Sequence, residues 1–136
     1  MQINPYLSFN GNCGEAFKFY ERCLRGKIEM MSTYGDTPMK DECPPDMLDR
    51  VIHVHLNVNG QALFGSDAPP GQFSPAQGMH VSIGVNSKEE GERIFRDLSE
   101  GGQQTMPFAE TFWSPGFGML VDRFGTPWMV NVAHKG

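Results

Sequence analysis

The sequence predicts an α+β fold, a single domain over residues 1–136 made of two βαβββ modules, at about 1–68 and 76–136. Three observations predict it: an internal repeat that aligns position 16 with position 91, a similar helix pattern early in each half, and three strand-like segments after each helix. One module alone would expose an apolar sheet face. We therefore expect the modules to pair as a curved mixed sheet around a cavity.

Each half opens with an apolar strand-like segment, residues 3–9 in the first half and 79–85 in the second. Asn12 and Ser87 follow, and a glutamate stands three residues after each, which predicts a helix N-terminus closed by a capping box. Apolar residues then recur at helical spacing. The repeat aligns the two sets member by member: Ala16, Phe19, Tyr20 and Cys23 with Gly91, Ile94, Phe95 and Leu98.

Gly26 and Gly101 are predicted to end the two helices in a left-handed conformation. Three strands follow each helix, at about 27–34, 51–59 and 61–66, and at about 104–113, 117–123 and 126–133. The loops at 35–50 and 67–77 are long. Their length is typical of lids or binding loops, and plain solvent-exposed connectors remain the alternative.

The composition favours a folded protein in the cytoplasm. Hydrophobic residues make up 39% of the chain, and the formal net charge of −5 disfavours nucleic acids and membrane surfaces as partners. No apolar stretch approaches the roughly 18 residues of a membrane-spanning helix, and the N-terminus lacks the regions of a signal peptide. Cys13, Cys23 and Cys43 form no CxxC pair, so we expect small buried or half-buried free thiols.

Three predicted strands have one apolar and one mixed face. The apolar faces, expected to pack on the helices, comprise Ile52, Val54, Leu56 and Val58, then Met79, Val81, Ile83 and Val85, then Trp128, Val130 and Val132. The mixed faces comprise Val51, His53, His55, Asn57 and Asn59, then His80, Ser82 and Gly84, then Pro127, Met129 and Asn131. The mixed faces either meet water or line a ligand cavity on the concave side of the sheet.

The segment 106–113 is a candidate cavity wall, because Phe108, Glu110 and Phe112 alternate and are predicted to share one face. Core packing is the simpler alternative for any single aromatic residue there. The predicted ligand-binding residues are His53, His55, His80, Glu110, Phe112, Met129 and Asn131. None has an assignable catalytic step, and His134 is expected to be solvated.

Five segments spread over essentially the whole chain carry a family resemblance: Asn4 to Cys13, Glu15 to Tyr20, Gly65 to Asp67, Glu110 to Trp113 and Asp122 to Asn131. The Glu-Thr-Phe-Trp and Phe-Gly-x-Pro-Trp stretches are the most specific. Together the segments resemble the PhnB-like family of the vicinal oxygen chelate superfamily, with glyoxalase I, bleomycin-resistance proteins and extradiol dioxygenases. The resemblance implies paired βαβββ modules, a cavity, commonly a homodimer, and often a divalent metal held by His or Glu.

The metal positions that the resemblance implies are the first and last strands of each module. On the first strands they fall on Pro5, which cannot ligate, and on its repeat partner His80. On the last strand of module two the position falls near Met129, a thioether that hard divalent ions do not favour. We therefore expect no complete glyoxalase-type metal site and no resident cofactor. The alternative is a divalent metal held by His53, His55 and His80.

The leading hypothesis is a small-molecule-binding protein of the glyoxalase/bleomycin-resistance type, acting as a homodimer. One alternative is an isomerase, lyase or dioxygenase of the same superfamily, with or without a divalent metal, in which His80 and Glu110 serve as acid and base. Another is an oligomeric interaction module with no ligand. The methyltransferase label given to some family members finds no support, because the chain has no G-x-G-x-x-G loop after a strand. No basic cluster argues for phosphonate chemistry.

Overall fold

The computed structural model describes residues 1–38 and 40–133. The chain divides into two compact units, unit one from Met1 to Pro75 and unit two from Ala76 onward. Each unit is one α-helix packed on one four-stranded mixed sheet, in the chain order βαβββ. The predicted α+β fold of two βαβββ modules is therefore confirmed. The prediction for His134 lies outside the described residues.

Unit one contains β1 (Tyr6–Phe9), α1 (Cys13–Leu24), β2 (Lys27–Thr33), β3 (Val51–Val58) and β4 (Gln61–Asp67). The strands are ordered β1-β4-β3-β2, with β1 parallel to β4 and the other pairs antiparallel. Among the described residues of the connection between β2 and β3 there are three short 3-10 helices, Tyr34–Asp36, Lys40–Glu42 and Pro45–Met47. The predicted long loop at 35–50 therefore has local structure of its own.

Unit two contains β5 (Val81–Val85), α2 (Lys88–Ser99), β6 (Gln103–Ala109), β7 (Phe117–Val121) and β8 (Pro127–Val132). The strand order is β5-β8-β7-β6, again with the first and last strands parallel. The strand predicted at 104–113 is too long, because β6 ends at Ala109. Across the described ranges, neither α-helix has the length and apolar character that crossing a bilayer requires.

The helices α1 and α2 begin and end at positions that the repeat aligns, whereas β1 and β5 begin at aligned positions but do not end at them. The carbonyl oxygens of Phe9 and Val85 occupy matching places, since each accepts a hydrogen bond from the alanine that follows the unit's last strand. Val85 is one position later than the residue that the helix alignment would pair with Phe9. The reason is that three residues connect β1 to α1, whereas two connect β5 to α2. The prediction that His80 is the repeat partner of Pro5 is therefore wrong, because Val81 occupies that position.

Asp67, the last residue of β4, holds the start of α1 in place. Its carboxylate is 1% exposed and accepts backbone hydrogen bonds from Gly11 at 2.8 Å and Cys13 at 3.0 Å through Oδ1, and from Val51 at 2.9 Å through Oδ2. The side chain of Asn12 makes no capping bond, so the capping box predicted there is wrong. The buried carboxylate supplies the acceptor that a capping side chain normally provides.

Of the other predicted helix ends, the N-cap bond of the capping box at Ser87 and the left-handed Gly101 are confirmed, and the left-handed Gly26 is wrong. Ser87 accepts the backbone N–H three residues further on at 3.1 Å, and Gly101 has φ 73°. At the end of α1, Arg25 rather than Gly26 takes the left-handed conformation, with φ 52°. Gly26 is required for a different reason, since a Cβ there would lie 2.7 Å from the carbonyl oxygen of Asn57.

In unit two, Asp122 has a role like that of Asp67. It is 3% exposed and accepts the backbone N–H groups of Phe124 at 2.8 Å and Thr126 at 3.0 Å through Oδ1. Its Oδ2 accepts the indole N–H of Trp128 at 2.8 Å. One carboxylate thus fixes the turn between β7 and β8 and the orientation of a core tryptophan.

The helix-facing side of each sheet forms the core of its unit. All eight residues of the two predicted helical stripes are buried, which confirms them. The core of unit one is rich in aromatic rings, whose centroids lie 5.4 to 6.4 Å apart: Phe9, Phe17, Phe19 and Tyr20. The core of unit two is built mainly from Phe95, Leu98, Leu120, Trp128 and Val130.

Val51 departs from the alternation predicted for β3. It is 4% exposed and lies on the helix side, where a Cβ built on Gly14 would be 3.5 Å from its side chain. The pairing with β2 is irregular here, since β3 advances two residues, from Val51 to His53, for one residue of β2. This bulge at Ile52 reverses the face of Val51, so its predicted place on the mixed face is wrong.

The three cysteines are free thiols, with Cys13 and Cys23 buried and Cys43 half-buried, as predicted. Burial, and secondly the charge of Asp67, raise the pKa of the Cys13 thiol above its ordinary range. Burial and Asp67 also raise the pKa of Tyr34, whose hydroxyl donates to the Asp67 carbonyl oxygen at 3.1 Å. Both groups are therefore neutral at physiological pH.

Candidate functional site

The sheet of unit one carries a group of ring side chains on the side away from α1. We call it the ring cluster: Tyr6, His53, His55 and Phe64. Val54 and Leu56 are fully buried on the helix side, so alternation places both histidines on the opposite side. The register confirms this grouping, because Phe64 pairs with Tyr6 on β1 and with His55 on β3.

Phe64 lies at the centre of the ring cluster. Its ring centroid is 5.0 Å from that of His55, 5.4 Å from that of His53 and 6.3 Å from that of Tyr6. The Tyr6 hydroxyl is 3.3 Å from His53 Nδ1, and the tautomer of the imidazole decides which atom donates. Tyr6 is 52% exposed and the other three rings are half-buried. The cluster therefore combines flat apolar surfaces with O–H and N–H groups at their edges.

The corresponding side of the unit-two sheet carries a row of thioethers, which we call the methionine row: Met106, Met119 and Met129. Met119 pairs with Met106 on β6 and with Met129 on β8, so the row crosses three neighbouring strands. Met106 is 41% exposed and the other two are half-buried. Methionine side chains are flexible and polarisable, so this surface can adapt to apolar shapes.

Asn131 lies on β8 two residues after Met129 and pairs with Gly84 on one side and Phe117 on the other. Its Oδ1 atom is buried and has no hydrogen-bond partner within residues 1–38 and 40–133. Leaving such an acceptor unpaired costs about 1–3 kcal/mol. A Cβ built on Gly84 would meet nothing within 4 Å, so there is open space on the neighbouring strand.

The predicted aromatic wall does not form. Phe108 points toward α2, with its ring 5.6 Å from that of Phe95, while Glu110 is exposed and Phe112 is 93% exposed, both beyond the end of β6. The expectation that Phe108, Glu110 and Phe112 share one strand face is therefore wrong. The strand ends early because the chain turns at Thr111.

Thr111 and Ser114 close this turn. The Ser114 N–H donates to Thr111 Oγ1 at 3.1 Å, and the Thr111 N–H donates to the Ser114 carbonyl oxygen at 2.9 Å. Ser114 is 1% exposed, and its hydroxyl oxygen lies 2.7 Å from each of two backbone carbonyl oxygens. On this turn the exposed ring of Phe112 contacts the ring of Trp113 edge to face, with ring centroids 4.8 Å apart. The Ser-Pro-Gly sequence at 114–116 is the turn signal that could have shortened the predicted strand.

The seven predicted ligand-binding residues fall into separate places. His53 and His55 lie together in the ring cluster, and Met129 and Asn131 share one face of β8. The other three are exposed positions outside the strands: His80, Glu110 and Phe112. Sequence reasoning missed four neighbours, Tyr6, Phe64, Met106 and Met119, since only the strand register places them beside the predicted residues.

The side chains present do not fit the divalent metal centre that the fold family implies. In the part of the chain that the structure describes, no three His, Cys, Asp or Glu side chains are grouped so that they could hold a metal ion. The ring neighbours of His53 and His55 include Phe64 rather than a carboxylate. Met129 offers only a thioether, which suits soft ions rather than hard divalent ones.

The chain matches known proteins along nearly its whole length. The profile of the family described as 3-demethylubiquinone-9 3-methyltransferase matches residues 1–131. Protein YjdN of Escherichia coli (strain K12) is 34% identical, over 99% of this chain and 97% of that protein.

Solved structures agree. Protein PA1353 from Pseudomonas aeruginosa is 46% identical, with 98% of each chain covered and a TM-score of 0.90. A putative 3-demethylubiquinone-9 3-methyltransferase, PhnB protein, from Bacillus cereus is 28% identical, with 98% of this chain and 100% of that chain covered and a TM-score of 0.82.

A more distant structure shows the fold alone. A glyoxylase/bleomycin resistance protein/dioxygenase domain from Frankia sp. EAN1pec is 15% identical, with 98% of each chain covered and a TM-score of 0.71. The predicted resemblance is confirmed. The chain belongs to the PhnB/3-demethylubiquinone-9 3-methyltransferase family, and its fold is similar to that of a glyoxylase/bleomycin resistance protein/dioxygenase domain.

Proposed function

We propose that this protein binds a small molecule on the sheet faces that point away from its helices, without a glyoxalase-type metal centre. The observation that carries the proposal is the ring cluster of unit one. Phe64 is surrounded by three other rings that leave it only half-buried, and polar groups lie at their edges. Flat apolar surface with a few fixed polar groups is the usual composition of a ligand site. Met129 and Asn131 supply the contacts that we propose in unit two.

A binding experiment with a matched pair of probes tests this function. We expect 2-naphthol to shift the NMR signals of β3 and β4 amides and to bind about three- to tenfold more tightly than saturated decahydro-2-naphthol, because only a flat ring stacks on Phe64. Replacing Phe64 with leucine should weaken 2-naphthol binding by a similar factor. Phe73→Leu is the control, since Phe73 lies in the loop after β4 and is 36% exposed.

Two results would contradict the proposal. One is the absence of shifts in β3 and β4 with millimolar 2-naphthol, and the other is equal binding by the wild type and the Phe64→Leu variant. Whether ligand binding is independent of a metal ion is tested separately by adding a chelator. Binding that disappears with the chelator and returns with a divalent ion would favour a metal site instead.

A reaction is a second candidate function, which the contact between Tyr6 and His53 favours. A phenol and an imidazole 3.3 Å apart can pass a proton between them and present it to a bound carbonyl compound. This pair replaces His80 and Glu110 as the best-supported acid and base of the isomerase, lyase or dioxygenase alternative.

The three free thiols support the cytoplasm as the location.

We further propose that the macromolecular partner is a second copy of this chain. Phe112 supports it, because a turn fixed by hydrogen bonds displays a phenylalanine that is 93% exposed. Sedimentation velocity should show a dimer that Phe112→Ser weakens by about tenfold or more, the effect typical of an interface anchor. Phe73→Ser should leave it unchanged. A wild-type protein that remains monomeric at millimolar concentration would refute the homodimer.

A further inference from the structure

We infer that the methionine row and Asn131 of unit two select uncharged ligands that combine an apolar body with one N–H or O–H donor, such as primary amides, lactams and phenols. The inference rests on the proposed function and names the chemical class of ligand for this face. Three independent observations carry it: an adaptable apolar surface, an unpaired acceptor, and open space over a glycine on the neighbouring strand.

The adaptable surface is the methionine row itself. Because Met106, Met119 and Met129 are in register on three neighbouring strands, their thioethers form a continuous apolar band. Flexible thioethers can adjust to ligands of different shape, and they contact aromatic rings favourably. This surface therefore accepts a range of apolar bodies and contributes little discrimination among their shapes.

Discrimination comes from Asn131. Its Oδ1 is buried and makes no hydrogen bond with any described residue, so a ligand donor reaches this acceptor when the side-chain amide turns toward the open space over Gly84. A ligand with an N–H or O–H group can pair with this oxygen, whereas a ligand of the same shape without a donor leaves it unpaired. Sites that hold such a buried polar group reject ligands that lack the matching partner.

Gly84 provides the space. It pairs with Asn131 from the neighbouring strand β5, and a Cβ built on it would have no atom within 4 Å. The ligand's polar group can therefore lie over the backbone of Gly84 and approach Asn131 from the side. The residues that pair with Asn131 and with the methionine row on this face are uncharged: Ser82, Gly84, Phe117 and the methionines themselves. A charged ligand would find no compensating charge among them.

The test compares benzamide with N,N-dimethylbenzamide, which has the same ring and carbonyl but no N–H donor. Binding is followed by the NMR signals of methionine ε-methyl groups labelled with carbon-13. We expect benzamide to shift the Met119 and Met129 signals and to bind at least about tenfold more tightly than the dimethyl compound. The Met31 signal, from the helix side of the unit-one sheet, should not move.

Variants connect this preference to the proposed residues. Asn131→Leu should make the two amides bind equally, because the acceptor is gone while the apolar surface remains. Gly84→Ala should weaken benzamide about fivefold or more by filling the space, and it provides the test if Asn131→Leu does not fold. Met31→Leu is the matched control and should not change the binding of either amide, because Met31 lies on the helix side of the unit-one sheet.

The outcomes separate this inference from the proposed function. If both amides bind wild-type protein equally, or if Asn131→Leu keeps the preference, the donor-selective site is refuted while small-molecule binding stands. If benzamide moves no unit-two methionine signal at millimolar concentration, the inference is refuted as well. The proposed function then fails too only if 2-naphthol also leaves β3 and β4 undisturbed or binds the wild type and Phe64→Leu equally.

Discussion

Replacing Asp67 with alanine is expected to lower the free energy of unfolding by about 3–5 kcal/mol, because it leaves buried backbone donors without an acceptor. The carboxylate accepts the N–H groups of Gly11, Cys13 and Val51, all between 2.8 and 3.0 Å. These bonds join the start of α1 to the ends of two strands. Urea unfolding followed by circular dichroism measures the loss.

A second measurement localises the effect of Asp67→Ala to unit one. Cys13 is 0% exposed and its N–H donates to Asp67, so loosening the helix start should raise the rate at which a thiol reagent modifies Cys13. Asp49→Ala is the control, since Asp49 is exposed and should change stability by no more than about 0.5 kcal/mol. Equal stabilities for the two variants would show that the carboxylate is not a structural centre.

The second large effect is expected for Gly65→Ala, which should destabilise the protein by about 1–3 kcal/mol through overpacking. A Cβ on Gly65 would lie 2.5 Å from Phe17 Cε1 and 3.1 Å from the carbonyl oxygen of Leu7. Phe17 is fully buried in the aromatic core, so its ring cannot move aside without displacing its neighbours. Thermal and urea unfolding of the variant measure the cost.

Gly84→Ala is the matched control, because the same change is made on a strand of the other unit, in open space. No atom lies within 4 Å of its built Cβ and its φ is not in the left-handed region, so we expect a neutral change or a gain of about 0.4–1 kcal/mol. Similar losses for both variants would mean that backbone flexibility, and not contact with Phe17, decides the role of Gly65.

Local sequence patterns were sufficient for most of the fold. The stripes that contain Tyr20 and Phe95 identified the buried side of each helix, because helix periodicity and burial follow from the same 3.6-residue repeat. The predictions were wrong where a residue distant in sequence makes the contact expected from a local one, or where a bulge interrupts the strand. Asp67, more than fifty positions away along the chain, supplied the acceptor expected from Asn12, and one bulge at Ile52 reversed the face of Val51.

The candidate site was predicted less completely than the fold. The alternation of β3 placed His53 and His55 on the correct side of the sheet, but nothing in the sequence around them indicates Phe64 or Tyr6 as neighbours. A pattern within one strand reports which side a residue faces. It does not report which residue of another strand lies beside it.

By itself, the sequence determined the α+β class, the two βαβββ modules, the helix-facing core and the family. These depend on periodicity and capping, which act between residues close together in the chain. Only the tertiary structure decided which rings surround Phe64, that the methionines of three strands form one row, and that Asn131 Oδ1 is buried without a partner. Each of these is set by strand register, because register joins residues that are distant in sequence and fixes what each side chain contacts.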